Sequence, residues 1–429
     1  MTGTPALLAL AIVAVGGGLL AVSQWRDWRP SLATALLVAL VLRLAMCAIV
    51  WDGLLPYDVD FDFRVAGENV LEHRDLMLNS RERGGNYLPT YGFVMAGAVA
   101  FQELTGLPWV VVARIPAIAA DVGVVALVHA LADRERAGLR AFQYACTPIA
   151  ILVSAVHGQM EPTCLLLALG AFLALQSRRG PRVGLAGVLV GLAISVKTWP
   201  GLFLPALLLA LPGWAARARL LLGAAAVGLV LLRTQPLTVG TPAQQLPATV
   251  ARILSYHSPG GSWGWSSVVY AYSPYTADNY EDSTLWGVVG RVGSLLTLLA
   301  VAAAVWWWRR ADPLVVAGVS ASAFQITTAG HGAQYLAWPA PFMVLRPTRL
   351  VPLLQLGIGV WAWCAYFVAW TWNSWLVDAW QISSLLLVVL FVLALPWRQR
   401  RRPAAGAAEA DLWHEATRGP EAISTPTTR

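Results

Sequence analysis

Residues 5–51 read PALLALAIVAVGGGLLAVS, then QWRDWRP, then SLATALLVALVLRLAMCAIVW. A bilayer-spanning helix needs about 17–25 apolar residues, and both runs qualify, with a short arginine-bearing turn between them. Similar runs recur at 109–131, 141–156, 162–177, 183–196, 199–213, 218–233, 284–308, 313–328, 334–346, 349–371 and 376–396. The pattern predicts an all-α, polytopic transmembrane helix bundle of about 13 spans, with further helices and loops on its outer side. That bundle occupies residues 1–397, and a polar, Arg/Pro/Ala/Thr-rich tail at 398–429 reads as a disordered cytoplasmic extension. Composition agrees, because 57% of the chain is hydrophobic and only 12% charged. Soluble domains carry about 25% charged residues. Disordered and nucleic-acid-binding classes are excluded on the same ground, despite the net charge of +7. The N-terminal run lacks a basic leader, so it is expected to stay as a span.

Arginines set the orientation, since short cytoplasmic loops collect positive charge. Arg26/Arg29, Arg134/Arg136/Arg140, Arg178/Arg179/Arg182, Arg217/Arg219, Arg309/Arg310 and Arg346/Arg349 mark one side, together with the tail. They alternate with the spans if the N-terminus is outside and the C-terminus cytoplasmic. Residues 87–105, YLPTYGFVMAGAVAFQELT, break that alternation if they cross. The segment is therefore read as a re-entrant or interfacial helix started by Pro89, with an ordinary span as the alternative. Of 30 basic residues only Lys197 is a lysine, a bias that points to GC-rich coding and a bacterial source. The four cysteines lie in or beside apolar runs, so neither a disulfide framework nor a Cys-type zinc site is indicated.

With this orientation the chemistry-bearing residues gather on the outer side. Loop 52–88 opens with DVDFDF, placing Asp58, Asp60 and Asp62 on alternate positions, which share a face if extended and splay if helical. Crowded carboxylates need a proton, a cation or cationic partners, so a general base, with or without a metal, and a solvated acidic loop both fit. HGQMEP at 157–162 holds His157, Gln159 and Glu161 in a tight turn, suited either to hydroxyl recognition or to a polar helix junction. Lys197, in SVKTWPG, offers a compact charge for a phosphate, or a snorkelling contact. The 234–283 loop brings Tyr256, His257, Trp263 and Trp265, either for stacking on sugars or as an interfacial belt. The turn AGHGAQYLAWPAP supplies His331, Gln334 and Tyr335. His157, His257 and His331 occupy separate loops without metal-site spacing, a weak metal signal. Within the spans, Arg43 and Asp121 are placed to pair, while Arg114 and Arg291 lie nearer the outer ends, within reach of a lipid phosphate.

Taken in order, these segments resemble the GT-C superfamily of membrane glycosyltransferases. The nearest branch is the polyprenyl-phosphate-mannose-dependent mannosyltransferases, including those that build phosphatidylinositol mannosides. The resemblance is carried by DFDFRVAGENVLEH, NYLPTYGFV, GQME, SVKTWPGLFLP, YHSPGGSWG and QYLAWPAP across residues 58–341. Departures are Phe63 for the usual Tyr, Leu88–Pro89 for a Pro pair, and Glu161 for Asp. The resemblance implies an inverting transfer of a sugar, expected to be mannose, from a polyprenyl-phosphate-sugar donor to a lipid or glycan acceptor outside the plasma membrane. It assigns the base to Asp60, the donor phosphate to Lys197, His331 and Arg291, and substrate contacts to Asp58, Asp62, Asn86, Tyr87, His157, Gln159, Glu161, Tyr256, His257, Trp263, Gln334 and Tyr335. No metal ligand is assigned and no cofactor is required, with Mg²⁺ or Mn²⁺ left open. Membrane lipids are the other partners and nucleic acid is not one. The rival class is a transporter or flippase, which would set its charges near the bilayer midplane, often with internal repeats.

Overall fold

The computed structural model describes residues 3–51, 53–76, 87–177, 179–255, 260–273 and 284–399. Asn86, Tyr256, His257 and the tail from Arg400 onward lie outside them. The described residues form helices joined by turns, with one isolated antiparallel bridge between Gly260 and Gly330. The helices that position the site are α1 (Thr4–Trp25), α2 (Leu32–Ile49), α3 (Arg64–Leu71), α4 (Thr90–Thr105), α5 (Trp109–Leu131), α6 (Arg134–Ala145), α7 (Pro148–His157), α8 (Glu161–Leu175), α9 (Val183–Val196), α10 (Trp199–Leu209), α11 (Trp214–Arg233), α12 (Thr284–Trp308), α13 (Pro313–Thr327), α14 (Val351–Phe367) and α15 (Ser374–Ala394).

Six of them, α1, α2, α5, α11, α12 and α15, are long and apolar enough to cross a membrane. The pair α6 and α7, bent by 53° at Cys146–Thr147, makes a seventh if it is one broken span. Proline opens α7, and it cannot donate the backbone hydrogen bond that would continue α6. Helices α8, α9, α10, α13 and α14 are apolar but only 10–17 residues long. At 1.5 Å per residue such helices fall short of a hydrocarbon core of about 30 Å. Among the described residues, helix length and composition thus support six or more membrane-capable helices and do not by themselves reach the expected count of about 13 spans. Helix α4 is not among the apolar ones, and it packs its Met95 backbone against Gly67 of α3, where a Cβ would sit 2.7 Å away.

Within the bundle the helices close on small residues, the usual route to association where lipid is as apolar as Leu. Gly187 and Gly191 of α9 let α11 approach until a Cβ would stand 2.5 Å from the Leu220 carbonyl oxygen and 2.7 Å from that of Ala224. The expected pair is present: Arg43 of α2 meets Asp121 of α5 at 2.6 Å, both fully buried. The Tyr144 hydroxyl of α6 donates to the other Asp121 oxygen at 2.7 Å, and Arg43 Nη1 donates to the Ala145 carbonyl at 2.9 Å. Three helices are thereby tied through one charge pair.

Candidate active site

Asp58 begins a wide turn, Asp58–Phe63, wound with i→i+5 hydrogen bonds, and His157 ends a second one, Leu152–His157. Such turns are rare and concentrate at functional sites. Gly158 follows in the left-handed region, φ 78°, which allows the chain to reverse into α8. Arg114 braces both strands of this construction. Its guanidinium donates to the carbonyls of Leu54 and Val110, and to that of Val156 from Nε at 3.0 Å and Nη2 at 2.7 Å. The expectation that Arg114 reaches a lipid phosphate is corrected by these bonds, which consume the guanidinium on backbone. Trp109 adds a second tie, donating its indole N–H to the Val59 carbonyl at 3.2 Å.

The braced turns bring together Asp58, His157, Gln159, Glu161 and Lys197. His157 Nε2 lies 3.1 and 3.2 Å from the two Asp58 oxygens, and the Gln159 amide nitrogen donates to Oδ2 of the same carboxylate. Lys197, the residue that ends α9, donates from Nζ to Gln159 Oε1 and to Glu161 Oε1, each at 2.7 Å. Glu161 Oε2 is buried without a hydrogen-bond partner. Burial pushes the Asp58 carboxyl up, but the charge and hydrogen bond of His157, with Lys197 and Gln159, outweigh it and hold the pKa at about 2. Burial likewise works against the Lys197 ammonium, yet the Glu161 carboxylate holds its pKa above the ordinary lysine value.

Asp60 and Asp62 do not join this network. Among the described residues Asp60 makes no side-chain hydrogen bond, and the Asp62 charge instead acts on the buried Tyr91 of α4. The helical winding splays the three carboxylates, and among the described residues no group of three or more His, Cys, Asp and Glu is arranged to hold a metal ion.

Lys197 and Tyr87 line one part of a cavity of about 620 Å³, whose walls continue over Leu202, Pro205, Leu298 and Val301. Tyr335 lines it too, and the Tyr87 ring centroid is 5.7 Å from Lys197 Nζ. Arg291, exposed on α12, lines a neighbouring cavity of about 250 Å³ with Trp286 and Gly260; Gly290, Ala329 and Gly330 border both. His331 is buried, and its ring stacks on Trp263 at 4.4 Å. Neither ring nitrogen has a hydrogen-bond partner, and burial pushes the imidazole pKa down to about 3. His331 is thus neutral here and offers an N–H rather than a charge. Trp263 is fully buried, with its indole donating to the Gln325 carbonyl at 2.7 Å, so in this structure it presents no face for stacking on a sugar. Gln334 is half-buried and folds over Gly332. Tyr366 of α14 was not singled out from sequence, yet its hydroxyl lies 2.8 Å from His157 Nδ1. The available signal was a tyrosine inside an apolar run, where a buried hydroxyl requires a partner.

The fold and site define a polytopic membrane protein with an ionised carboxylate and a buried lysine joined through one amide, beside a partly apolar cavity. The model of glycosyltransferase family 87 matches residues 87–329, more than half the chain. The chain belongs to that family, a GT-C-like family of membrane glycosyltransferases. The match contains His157, Gln159, Glu161, Lys197 and Arg291, while Asp58 and Tyr366 lie on either side of it. No curated protein matches the chain.

Proposed function

We propose that this glycosyltransferase moves a sugar, mannose by the resemblance, from a polyprenyl-phosphate donor to a hydroxyl of a lipid-linked or glycan acceptor, with inversion. The reaction is assigned to the extracytoplasmic face of a bacterial plasma membrane, as the arginine loops imply. Asp58, rather than Asp60, is read as the base. The observation that carries this choice is the Asp58–Gln159–Lys197 chain, which couples one ionised carboxylate to the single lysine of the protein.

In this reading the acceptor oxygen attacks the anomeric carbon as the bond from that carbon to the phosphate oxygen breaks. The bonding pair stays on the phosphate, and the acceptor proton passes to an Asp58 oxygen. A carboxylate with a pKa of about 2 is a weak base toward a resting alcohol. It suffices once C–O bond formation has made the attacking oxygen strongly acidic, so proton transfer follows attack. Lys197 stabilises the charge growing on the leaving phosphate, with the His331 N–H and Arg291 as further donor contacts. Tyr87 and Tyr335 border the same cavity, and its apolar wall suits an isoprenoid chain. Asp62 and Gln334 stay substrate-side residues in this proposal, while Glu161, fully buried against Lys197, holds that lysine rather than the substrate. Mass spectrometry of lipid-linked glycans from a deletion strain tests it: the expected result is loss of one hexose from one lipid class and accumulation of the acceptor. Unchanged glycolipids, with a lipid or solute held on one side of the membrane, would favour a transporter instead.

A further inference from the structure

We propose that Tyr366 is a positioning residue, which fixes the tautomer of His157 and so keeps an Nε2–H directed at the Asp58 carboxylate. The proposal rests on the reading of Asp58 as base and deepens it.

The argument starts from hydrogen-bond capacity. An ionised carboxylate only accepts, so the contacts of His157 Nε2 at 3.1 and 3.2 Å require the proton on that nitrogen. The neutral imidazole is the form that has a tautomer to fix, and in it the other nitrogen is then an acceptor and needs a donor. The group at 2.8 Å from Nδ1 is the Tyr366 hydroxyl, which can donate, as a carbonyl or carboxylate cannot. The two rings meet edge to face, 5.4 Å between centroids at 76°, so the ring of Tyr366 also limits rotation of the imidazole. A phenylalanine at 366 would keep that packing and remove only the donor.

Without the donor, the Nδ1 lone pair is buried and unsatisfied, and the opposite tautomer or a flipped ring becomes competitive. Either change turns a lone pair toward Asp58. The Asp58 carboxylate then faces a lone pair in place of a donor, which repels it. The other charged groups facing the pair are Lys197 at the end of α9 and Glu161 at the start of α8. Lys197 reaches Asp58 through Gln159 and Glu161 is bound to Lys197, so neither orients the imidazole.

The test uses the full chain in lipid nanodiscs, labelled with ¹⁵N-histidine and ¹³C-aspartate. His157→Gln and Asp58→Asn assign the two signals by their disappearance. In the unsubstituted protein, recorded on the alkaline side where the imidazole is neutral, His157 is expected to show a protonated Nε2 and a bare Nδ1. In Tyr366→Phe, under the same conditions, both tautomers should appear. A protonated Nδ1 with a bare Nε2 in the unsubstituted protein overturns the proposal, even if Tyr366→Phe fails to fold. So does a Tyr366→Phe protein that keeps the original tautomer. Failure of the base assignment is separate: it would show as Asp58→Asn retaining sugar transfer while the tautomer shift in Tyr366→Phe still occurs.

Discussion

Gln159 joins Asp58 to Lys197: its amide nitrogen donates to the carboxylate while its oxygen accepts from the ammonium at 2.7 Å. An amide can serve an anion and a cation at once only in this orientation, so both neighbours fix it. The charge and hydrogen bond of His157, then Lys197 and this amide, outweigh burial and hold Asp58 near pKa 2, ionised throughout the neutral range. Because its folded pKa is depressed, the stability it contributes is full above the ordinary carboxylate pKa and is lost as pH falls through about 2. Transfer should accordingly show no acid limb from this group above about pH 4. Gln159→Glu replaces the amide donor with a like charge, which raises the Asp58 pKa. Its turnover should fall as pH is lowered from 7.5 to 5, while the unsubstituted enzyme stays flat. A flat profile in Gln159→Glu would disconnect the bridge from catalysis.

The three neighbouring carboxylates should separate cleanly. Asp58→Asn keeps shape and removes basicity, with an expected loss of about two to four decades in turnover. Asp60→Asn and Asp62→Asn should cost far less, and chelation of divalent metal should leave transfer unchanged. Turnover of polyprenyl phosphate mannose by the purified variants measures all of this. A dead Asp60→Asn beside an active Asp58→Asn would return the base to the position that the family resemblance favours.

Legibility in the sequence followed physical scale. Apolar length and the cost of a lone charge in a membrane were enough to expect helices and to pair Arg43 with Asp121, as observed at 2.6 Å. The ordering of HGQMEP before SVKTWPG marked the residues that meet around Lys197. Which aspartate meets His157 and Gln159 was not readable, because DVDFDF alternates like a strand while the chain winds it with i→i+5 bonds. No hydrophobic period announces such a turn. Arg114 misled for a related reason: its partners are the carbonyls of Leu54, Val110 and Val156, which no side-chain pattern reveals.

Sidedness is open to a direct measurement. Single cysteines at Ser80 and Ala404 should react with an impermeant maleimide from opposite faces of the membrane, Ser80 from outside. The native background is low, since Cys47, Cys146 and Cys164 are buried and Cys364 is partly so. Labelling of both sites from one face would overturn the outward placement of the Asp58 loop.

The proposed mechanism gives Lys197 two separable duties, and a double substitution divides them. Its ammonium neutralises Glu161, which is fully buried and has one oxygen without any other partner. Lys197→Ala should therefore lose stability by about 3–5 kcal/mol, because it leaves an uncompensated buried charge. It should also lose about two to three decades of turnover, because a cation is withdrawn from the developing phosphate charge. Replacing Glu161 as well, in Lys197→Ala/Glu161→Gln, removes the stranded charge and should restore most of the thermal midpoint. The same double variant still lacks the cation, so its turnover should stay low. Thermal unfolding in detergent and donor turnover, measured on the same preparations, read the two quantities independently. Recovery of both together would make Lys197 a structural counter-ion to Glu161 and leave the leaving phosphate to Arg291.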